Sequence, residues 1–253
     1  MNLDELIKIE SERKPPRILL HSKHGLGKSS WASVSPAPII LQTEDGLTEI
    51  KVPHFPVAQT IEDVFSYIAM LIKEEHQYKT FILDTLDWFE TLTWKKVCED
   101  KDVNSIEEIG YAKGYTFAME HHKKLLRGIT KLHQTKNMAI ILLAHNEVKT
   151  FNNPEGENYD QYVIKLHKKA AARYEEFCDA VFFMNHKAYI VAEKGSLKNK
   201  ATGSGERAIY TEGRPAATAK CRYDLPYEIP FPKGTGFTEV LNLIQKSRIT
   251  KGN

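Results

Sequence analysis

Residues 21–30 read HSKHGLGKSS and directly follow an apolar run. The segment nearly spells G-x-x-x-x-G-K-[ST], a loop whose backbone N–H groups hold phosphates between a strand and a helix. Gly27, Lys28 and Ser29 match the end of this pattern, whereas Ser22 stands where the first glycine is usual. Because a predicted strand precedes the segment and a predicted helix opens at Ser29, it predicts a nucleotide site in an α/β fold.

The loop residues have predicted roles. Lys28 is expected to reach the β- and γ-phosphates of ATP, and Ser29 is expected to bind Mg²⁺. Ser22 fits its position at a conformational cost if that position needs a positive φ. A chance glycine turn is the alternative interpretation. The residues predicted to contact the nucleotide are Ser22, Lys23, His24, Gly25, Leu26, Gly27, Lys28, Ser29 and Ser30.

Short apolar runs alternate with helical periods along the chain, which favours βαβ units around a parallel sheet. Residues 148–161, rich in Asn, Pro, Gly and acids, predict a loop. Strands are predicted at 17–22, 38–43, 79–85 and 138–145, as a pair at 180–185 and 188–193, and as two short strands in RAIYTEG and ATAKCRYDLP. Helices are predicted at 60–75, 115–136 and 163–178.

Composition excludes several classes of protein. A chain of 253 residues is long enough for one large, well-buried α/β domain. The net charge of +2 does not by itself indicate a nucleic-acid partner. Three widely separated cysteines indicate neither a disulfide framework nor a zinc site. The cysteines therefore predict reduced thiols in a cytoplasmic protein. No run approaches the roughly 18 apolar residues of a membrane helix, so we expect no membrane partner.

Two strand ends carry carboxylates that suit ATP chemistry. Asp84 ends the apolar strand FILDT and is expected to hold Mg²⁺ near Ser29. Glu44 ends the strand expected beside the phosphate-loop strand, where it could activate water; its neighbour Asp45 stays an alternative. Asp87 is interpreted as a carboxylate at the start of a helix.

His145 ends the apolar strand AIILLAH. Ligands bind at the carboxyl edge of such sheets, so His145 is expected to contact the γ-phosphate or the attacking water. Asn146 is the neighbouring candidate, and a plain strand-end histidine is the structural alternative.

Five segments follow one another along the chain: the phosphate loop, TEDGL, FILDT, LLAHN and AKCRYDLP. In this order they resemble the RecA-like ATPase core over about residues 15–232. The chain is most similar to the small phage ATPases of that group, the RecA-like single-strand annealing proteins, which are AAA-type nucleotide-binding proteins. The resemblance implies a mostly parallel central sheet, helices on both faces and a C-terminal antiparallel extension. It also implies a helical extension at 1–14, an ATPase core at 15–232 and a tail at 233–253.

The resemblance assigns catalytic roles. Glu44 takes the place of the catalytic glutamate, and His145 that of a γ-phosphate sensor that is normally glutamine. Lys220 and Arg222 are similar to cations that reach the nucleotide of a neighbouring subunit, although Cys221 replaces the usual asparagine. ATP and Mg²⁺ would then lie between subunits of a homo-oligomer, in a ring or a filament.

The family binds single-stranded DNA through interior loops, and residues 148–161 match the second of them. Lys149 and Phe151 offer a phosphate contact and a stacking face there. Acidic residues in the same loop would repel the DNA backbone. The basic stretch that follows is therefore either a DNA contact or a solvated helix face. Its cations are Lys165, Lys168, Lys169 and Arg173. A second basic stretch at 194–207 has the same two interpretations.

The sequence therefore predicts an ATPase that acts on single-stranded DNA in phage homologous recombination, by annealing or strand pairing. A single-strand DNA-binding protein is a possible partner. One alternative is a nucleotide-switched loader or adaptor with little hydrolysis. A small-molecule kinase is the other, disfavoured because Arg127, Arg173 and Arg207 form no evident lid cluster.

Overall fold

The computed structural model describes residues 14–47, 49–187, 189–191, 200–202 and 205–250. The strands are β1 (Arg17–Ser22), β2 (Pro38–Gln42), β3 (Thr80–Asp84), β4 (Ala139–Phe151), β5 (Tyr159–Ile164), β6 (Ala180–His186), β7 (Tyr189–Val191), β8 (Lys200–Thr202), β9 (Arg207–Tyr210), β10 (Lys220–Cys221) and β11 (Glu228–Pro230). The helices are α1 (Lys28–Ser33), α2 (Ile61–Lys73), α3 (Leu86–Lys101), α4 (Lys113–Lys136), α5 (Lys168–Phe177) and α6 (Phe237–Thr250), with a 3₁₀ turn at Ile106–Glu108.

The central sheet has a parallel core in the order β2-β3-β4-β1-β6. Antiparallel strands are added beside it: β9 and β10 on β6, β11 on β9, and β5 on β4. In the described part of the chain these make one nine-stranded sheet, and β7 pairs with β8 apart from it. The predicted mostly parallel sheet with a C-terminal antiparallel extension is confirmed.

Helices cover both faces of this sheet, as predicted. On one face α2, α3, α4 and α5 pack on the strands, for example through Val64, Phe89 and Leu125. On the other face α1 and α6 meet, and the rings of Trp31 and Phe237 pack edge to face with centroids 5.5 Å apart. Fully burying a large apolar side chain contributes about 1.5–3 kcal/mol, so these two layers stabilise the parallel core.

The local signals around α2 act as the sequence indicates. Thr60 Oγ1 accepts a hydrogen bond from the Asp63 N–H at 3.1 Å, and Asp63 Oδ2 accepts one from the Thr60 N–H at 2.9 Å. This reciprocal cap satisfies two backbone donors that the first turn of a helix leaves free. It sets the start of α2 within one residue of the prediction.

Two predictions for residues 148–178 are wrong. The predicted loop at 148–161 begins as an extension of β4, which pairs with β5 from Asn146 opposite Ile164 to Phe151 opposite Tyr159. The helix predicted from residue 163 starts only at Lys168. Backbone hydrogen bonds hold this hairpin, its β4 arm is exposed from Val148 to Phe151 and most of its β5 arm is half-buried, so no apolar alternation marks it in the sequence.

The predicted pairing of 180–185 with 188–193 is also wrong, because β6 lies between β1 and β9 whereas β7 pairs with β8. Likewise, β2 does not lie beside β1: it is the edge strand next to β3. Apolar runs mark strands without specifying their neighbours.

Beyond the helix start indicated by Asp87, the span of α3 was not predicted, because it buries Glu90 and exposes Trp88, which obscures its apolar period. Of the extension predicted at 1–14, only Lys14 lies within the described residues. At the other end, α6 contributes Phe237, Val240 and Ile244 to the core.

Candidate functional site

The loop between β1 and α1 has the backbone that a phosphate loop needs. Gly25 and Gly27 have φ values of 73° and 94°, which favour glycine over other residues. Ser22 remains in β1, paired with His145, and its hydroxyl donates to the Lys23 carbonyl at 2.9 Å. The position of the missing first glycine is therefore extended strand, and serine occupies it without the cost that the sequence raised.

Lys28 is buried under this loop. Its Nζ donates to the Lys23 carbonyl at 3.3 Å, so the ammonium group lies against the loop backbone. Burial lowers the pKa of Lys28, an effect that Asp84, Asp87 and Glu44 oppose. A buried cation beside exposed loop residues can hold a phosphate group through direct charge.

Ser29 and Asp84 meet across the end of the sheet. The Ser29 hydroxyl donates to Asp84 Oδ2 at 2.6 Å, and burial raises the pKa of Asp84 against this hydrogen bond. Oxygen ligands of this kind suit Mg²⁺, which usually takes few protein ligands together with phosphate oxygens and water. The pair thus fits the predicted metal site. No cluster of three or more His, Cys, Asp or Glu side chains forms another metal site among the described residues.

Glu44 reaches the site although β2 is an edge strand. Thr43, just before it, bonds to the backbone after β3: its Oγ1 donates to the Thr85 carbonyl at 2.7 Å and accepts from the Thr85 N–H at 2.8 Å. This contact fixes the chain so that Glu44 Oε1 lies 3.9 Å from His145 Nε2. Burial raises the pKa of Glu44, with His145 opposing it.

His145 is held on several sides at the point where the parallel pairing of β4 with β1 ends. Its backbone N–H donates to Asp87 Oδ1 and its ring Nδ1 contacts Asp87 Oδ2, both at 2.9 Å. The ring of His24, from the phosphate loop, stacks on it with centroids 3.7 Å apart. Asp87 lies in the first turn of α3, as the sequence indicates, but its contact with His145 was not foreseen.

Arg207 is a further residue that sequence reasoning missed at this site. It begins β9, and its Nη1 donates to the Leu26 carbonyl of the phosphate loop at 3.0 Å. A Cβ added at Gly27 would lie 2.7 Å from the same nitrogen, so a side chain there would displace the Arg207 guanidinium, and the φ of 94° itself favours glycine. The guanidinium also lies over the Phe231 ring, 4.3 Å from its centroid. No local signal identifies this contact, because it depends on β9 pairing with β6.

Lys220 and Arg222 lie far along the sheet from the phosphate loop of their own chain. Lys220 pairs with Val181 near the start of β6, and Arg222 Nη1 contacts Asp179 Oδ1 at 3.2 Å. Arg17, at the start of β1, binds the same carboxylate at 2.8 Å, whereas the phosphate loop follows the end of β1. Their proposed action on a neighbouring subunit stays a prediction.

The predicted DNA-binding residues surround the β4–β5 hairpin and α5. Lys149 Nζ contacts Glu147 at 2.8 Å, and Phe151 is exposed, with its ring centroid 5.2 Å from that of Tyr159. The other four candidates are all exposed: Lys165, Lys168, Lys169 and Arg173. The hairpin follows His145 directly in β4, so the candidate surface adjoins the candidate catalytic edge.

The parallel sheet, the glycine loop around Lys28 and the Ser29–Asp84 pair define a P-loop nucleotide-binding protein. Consistently, the family model described as an AAA domain matches residues 14–223, most of the chain. The chain belongs to this family of P-loop ATPases. The search of curated proteins found no match. In the part of the chain that the structure describes, no helix is long and apolar enough to cross a bilayer.

Proposed function

We propose that this protein hydrolyses ATP with Mg²⁺ and acts on single-stranded DNA in phage homologous recombination, by annealing or strand pairing. The observation that carries the ATPase part is the convergence of Lys28, the Ser29–Asp84 pair and Glu44 at one sheet edge. Lys28 would hold the phosphates, Ser29 and Asp84 would hold Mg²⁺, and Glu44 would activate the attacking water. Bound Mg²⁺ would supply positive charge to the transferred phosphoryl group.

The DNA part of the proposal rests on the position of the β4–β5 hairpin. It begins directly after His145, carries the exposed side chains of Val148 and Phe151, and leads to the exposed cations of α5. Aromatic faces beside cations suit single-stranded nucleic acid, because bases stack while the backbone is neutralised. Rearrangement around bound ATP would then alter the hairpin through β4. We include a homo-oligomer in the proposal, with Lys220 and Arg222 acting across its interface.

ATP hydrolysis with and without single-stranded DNA tests this function, with oligomeric state measured by light scattering in each condition. We expect DNA to stimulate turnover, and Lys28→Ala to lower kcat/KM by about 10²–10³-fold, as loss of one charge-stabilising group does. Lys131→Ala, on the exposed face of α4, is a matched control for the loss of one lysine.

Each result separates the candidate functions. Turnover that is independent of DNA would contradict the recombination part and retain the ATPase. Tight ATP binding without turnover in either condition would favour the loader or adaptor. The engagement of Arg222 by Asp179 within one chain is the observation that favours that second candidate, because it occupies a cation expected to act on the neighbour.

A further inference from the structure

Three side chains lie in a row at the end of the sheet that carries the phosphate loop: Asp87, His145 and Glu44. Asp87 accepts from the backbone N–H of His145 through Oδ1 and contacts ring Nδ1 through Oδ2, each at 2.9 Å. Beyond the ring, His145 Nε2 lies 3.9 Å from Glu44 Oε1. All three side chains are buried or half-buried, and His24 stacks on the imidazole.

The Asp87 contact decides which ring nitrogen carries the proton. An ionised carboxylate only accepts hydrogen bonds, so the nitrogen facing it must donate. Hydrogen bonds from His145 outweigh the burial of Asp87 and hold the pKa of that carboxyl below its usual range, so it is ionised at neutral pH. In the neutral imidazole, Nδ1 is therefore protonated and Nε2 is an acceptor.

In this neutral form, His145 Nε2 and the Glu44 carboxylate are two acceptors that face each other. Their separation of 3.9 Å is too long for a direct hydrogen bond. A small molecule with two donor hydrogens satisfies both groups, and water is the co-substrate of ATP hydrolysis. A neutral His145 in this form has no Nε2–H to donate to a γ-phosphate oxygen, so of the two contacts expected from the sequence it favours the attacking water over the γ-phosphate.

We propose that Asp87 is a positioning residue that holds His145 with its proton on Nδ1, so that His145 Nε2 and Glu44 together orient the attacking water. This inference rests on the proposed ATPase function. The water oxygen forms a bond to the γ-phosphorus, and the bond from that phosphorus to the β–γ bridging oxygen breaks. ADP keeps the bonding pair. One water proton passes to Glu44, and the other remains on the inorganic phosphate.

The decisive variant is Asp87→Asn. An asparagine oxygen can still accept from the His145 backbone N–H, while its NH₂ group donates to Nδ1 and moves the ring proton to Nε2. His145 Nε2–H would then donate a hydrogen bond to Glu44, and the space between the two groups that the water needs would be lost. We expect kcat to fall by about 10²–10⁴-fold, the range for general acid–base groups. We expect KM and the affinity for a non-hydrolysable ATP analogue to change less than about threefold, since ground-state binding is retained.

Asp102→Asn is the matched control, because it makes the same chemical change at the other end of α3. Asp102 has a φ of 51°, a conformation that asparagine tolerates. Its kcat should equal that of the wild type. A kcat of Asp87→Asn within about threefold of wild type would overturn the proposal, because an interaction made in the transition state must affect kcat.

Nitrogen-15 NMR of the histidine rings reads the proton position directly, with His145→Gln used to assign the signals. The wild type should carry the ring proton on Nδ1 and Asp87→Asn should carry it on Nε2. A wild-type ring protonated only on Nε2 would overturn the proposal even if Asp87→Asn fails to fold. A wild type that binds ATP without turnover would contradict the proposed function, and this spectrum would still decide the role of Asp87.

The double variant Asp87→Asn/His145→Gln separates positioning from a general structural effect. Glutamine has no tautomer to fix, and its amide oxygen can accept from water. We expect the double variant to turn over ATP faster than Asp87→Asn alone. If the kcat losses of the two single variants multiply in the double variant, Asp87 has a structural role and the proposal is overturned.

Discussion

Helix α3 carries two carboxylate–histidine pairs one turn apart, and they differ in what lies beyond the histidine. In the first, Asp87 holds His145 at the sheet edge, with Glu44 facing the far side of the ring. In the second, Glu90 Oε1 lies 3.5 Å from His122 Nε2, and His122 Nδ1 lies 2.9 Å from the Tyr174 hydroxyl.

The contacts of the second pair lie within the protein core. Both Glu90 oxygens accept from the His167 N–H, at 3.1 and 3.0 Å, so this carboxylate ties α3 to the start of α5. Glu90, His122 and Tyr174 all lie in the core. A carboxylate in contact with a histidine is therefore not by itself a reactive group. A histidine can act on a substrate only where one ring nitrogen faces the ligand site, as His145 does and His122 does not.

The largest expected effect comes from Glu90→Ala. It leaves the His167 N–H without its acceptor and removes the neighbour of His122, so the free energy of unfolding should fall by about 3 kcal/mol. The kcat of the folded protein should stay at the wild-type value. Urea unfolding and ATPase assays measure both, with Glu99→Ala on the exposed face of α3 as the control. A fall in kcat comparable to that of Asp87→Asn would remove the distinction between the two pairs.

A third histidine sharpens the comparison because none of the described carboxylates contacts it. His21 is fully buried in β1, and its Nε2 lies 2.8 Å from the Thr218 carbonyl. Burial lowers the pKa of His21 to about 4, against this hydrogen bond. Unfolding therefore takes up a proton at His21 between the folded pKa and the ordinary value of about 6.5, and stability falls as the pH falls through this range.

The contribution of His21 to this loss should be about 2 kcal/mol between pH 7 and pH 5. His21→Gln keeps a donor for Thr218 without a group that titrates there. Stability measured against pH should therefore fall less steeply for the variant than for the wild type. Equal slopes would mean that folded His21 binds its proton as the unfolded chain does.

The smallest expected effect is that of Tyr174→Phe. It removes the hydroxyl that contacts His122 Nδ1, which should lower the free energy of unfolding by about 1 kcal/mol. Turnover should not change. Thermal or urea unfolding measures the loss, and Tyr67→Phe in α2 is a control that removes a hydroxyl elsewhere. A change in kcat for Tyr174→Phe alone would show that the buried pair communicates with the catalytic edge.

Much of the fold was predictable because its strands are apolar on both faces. The bounds of β1 are those predicted; the prediction for β2 is one residue too long at its C-terminal end, and that for β3 is one residue too long at each end. The sequence indicates only the start of α3, at Asp87, and does not predict its span, because its buried face includes Glu90 and its exposed face includes Trp88. Burial of that carboxylate depends on His122 and His167, which are distant in sequence.

The candidate site divides in the same way. By itself the sequence determined the phosphate loop and the polar residues Asp84 and His145 that follow the apolar runs of β3 and β4, because a short motif and strand periodicity are local properties. Only the tertiary structure decided that β4 lies between β1 and β3, that Glu44 reaches His145 from an edge strand, and that Asp87 and Arg207 join the site. These contacts join residues from separate elements, and strand order and packing, which no local pattern encodes, bring them together.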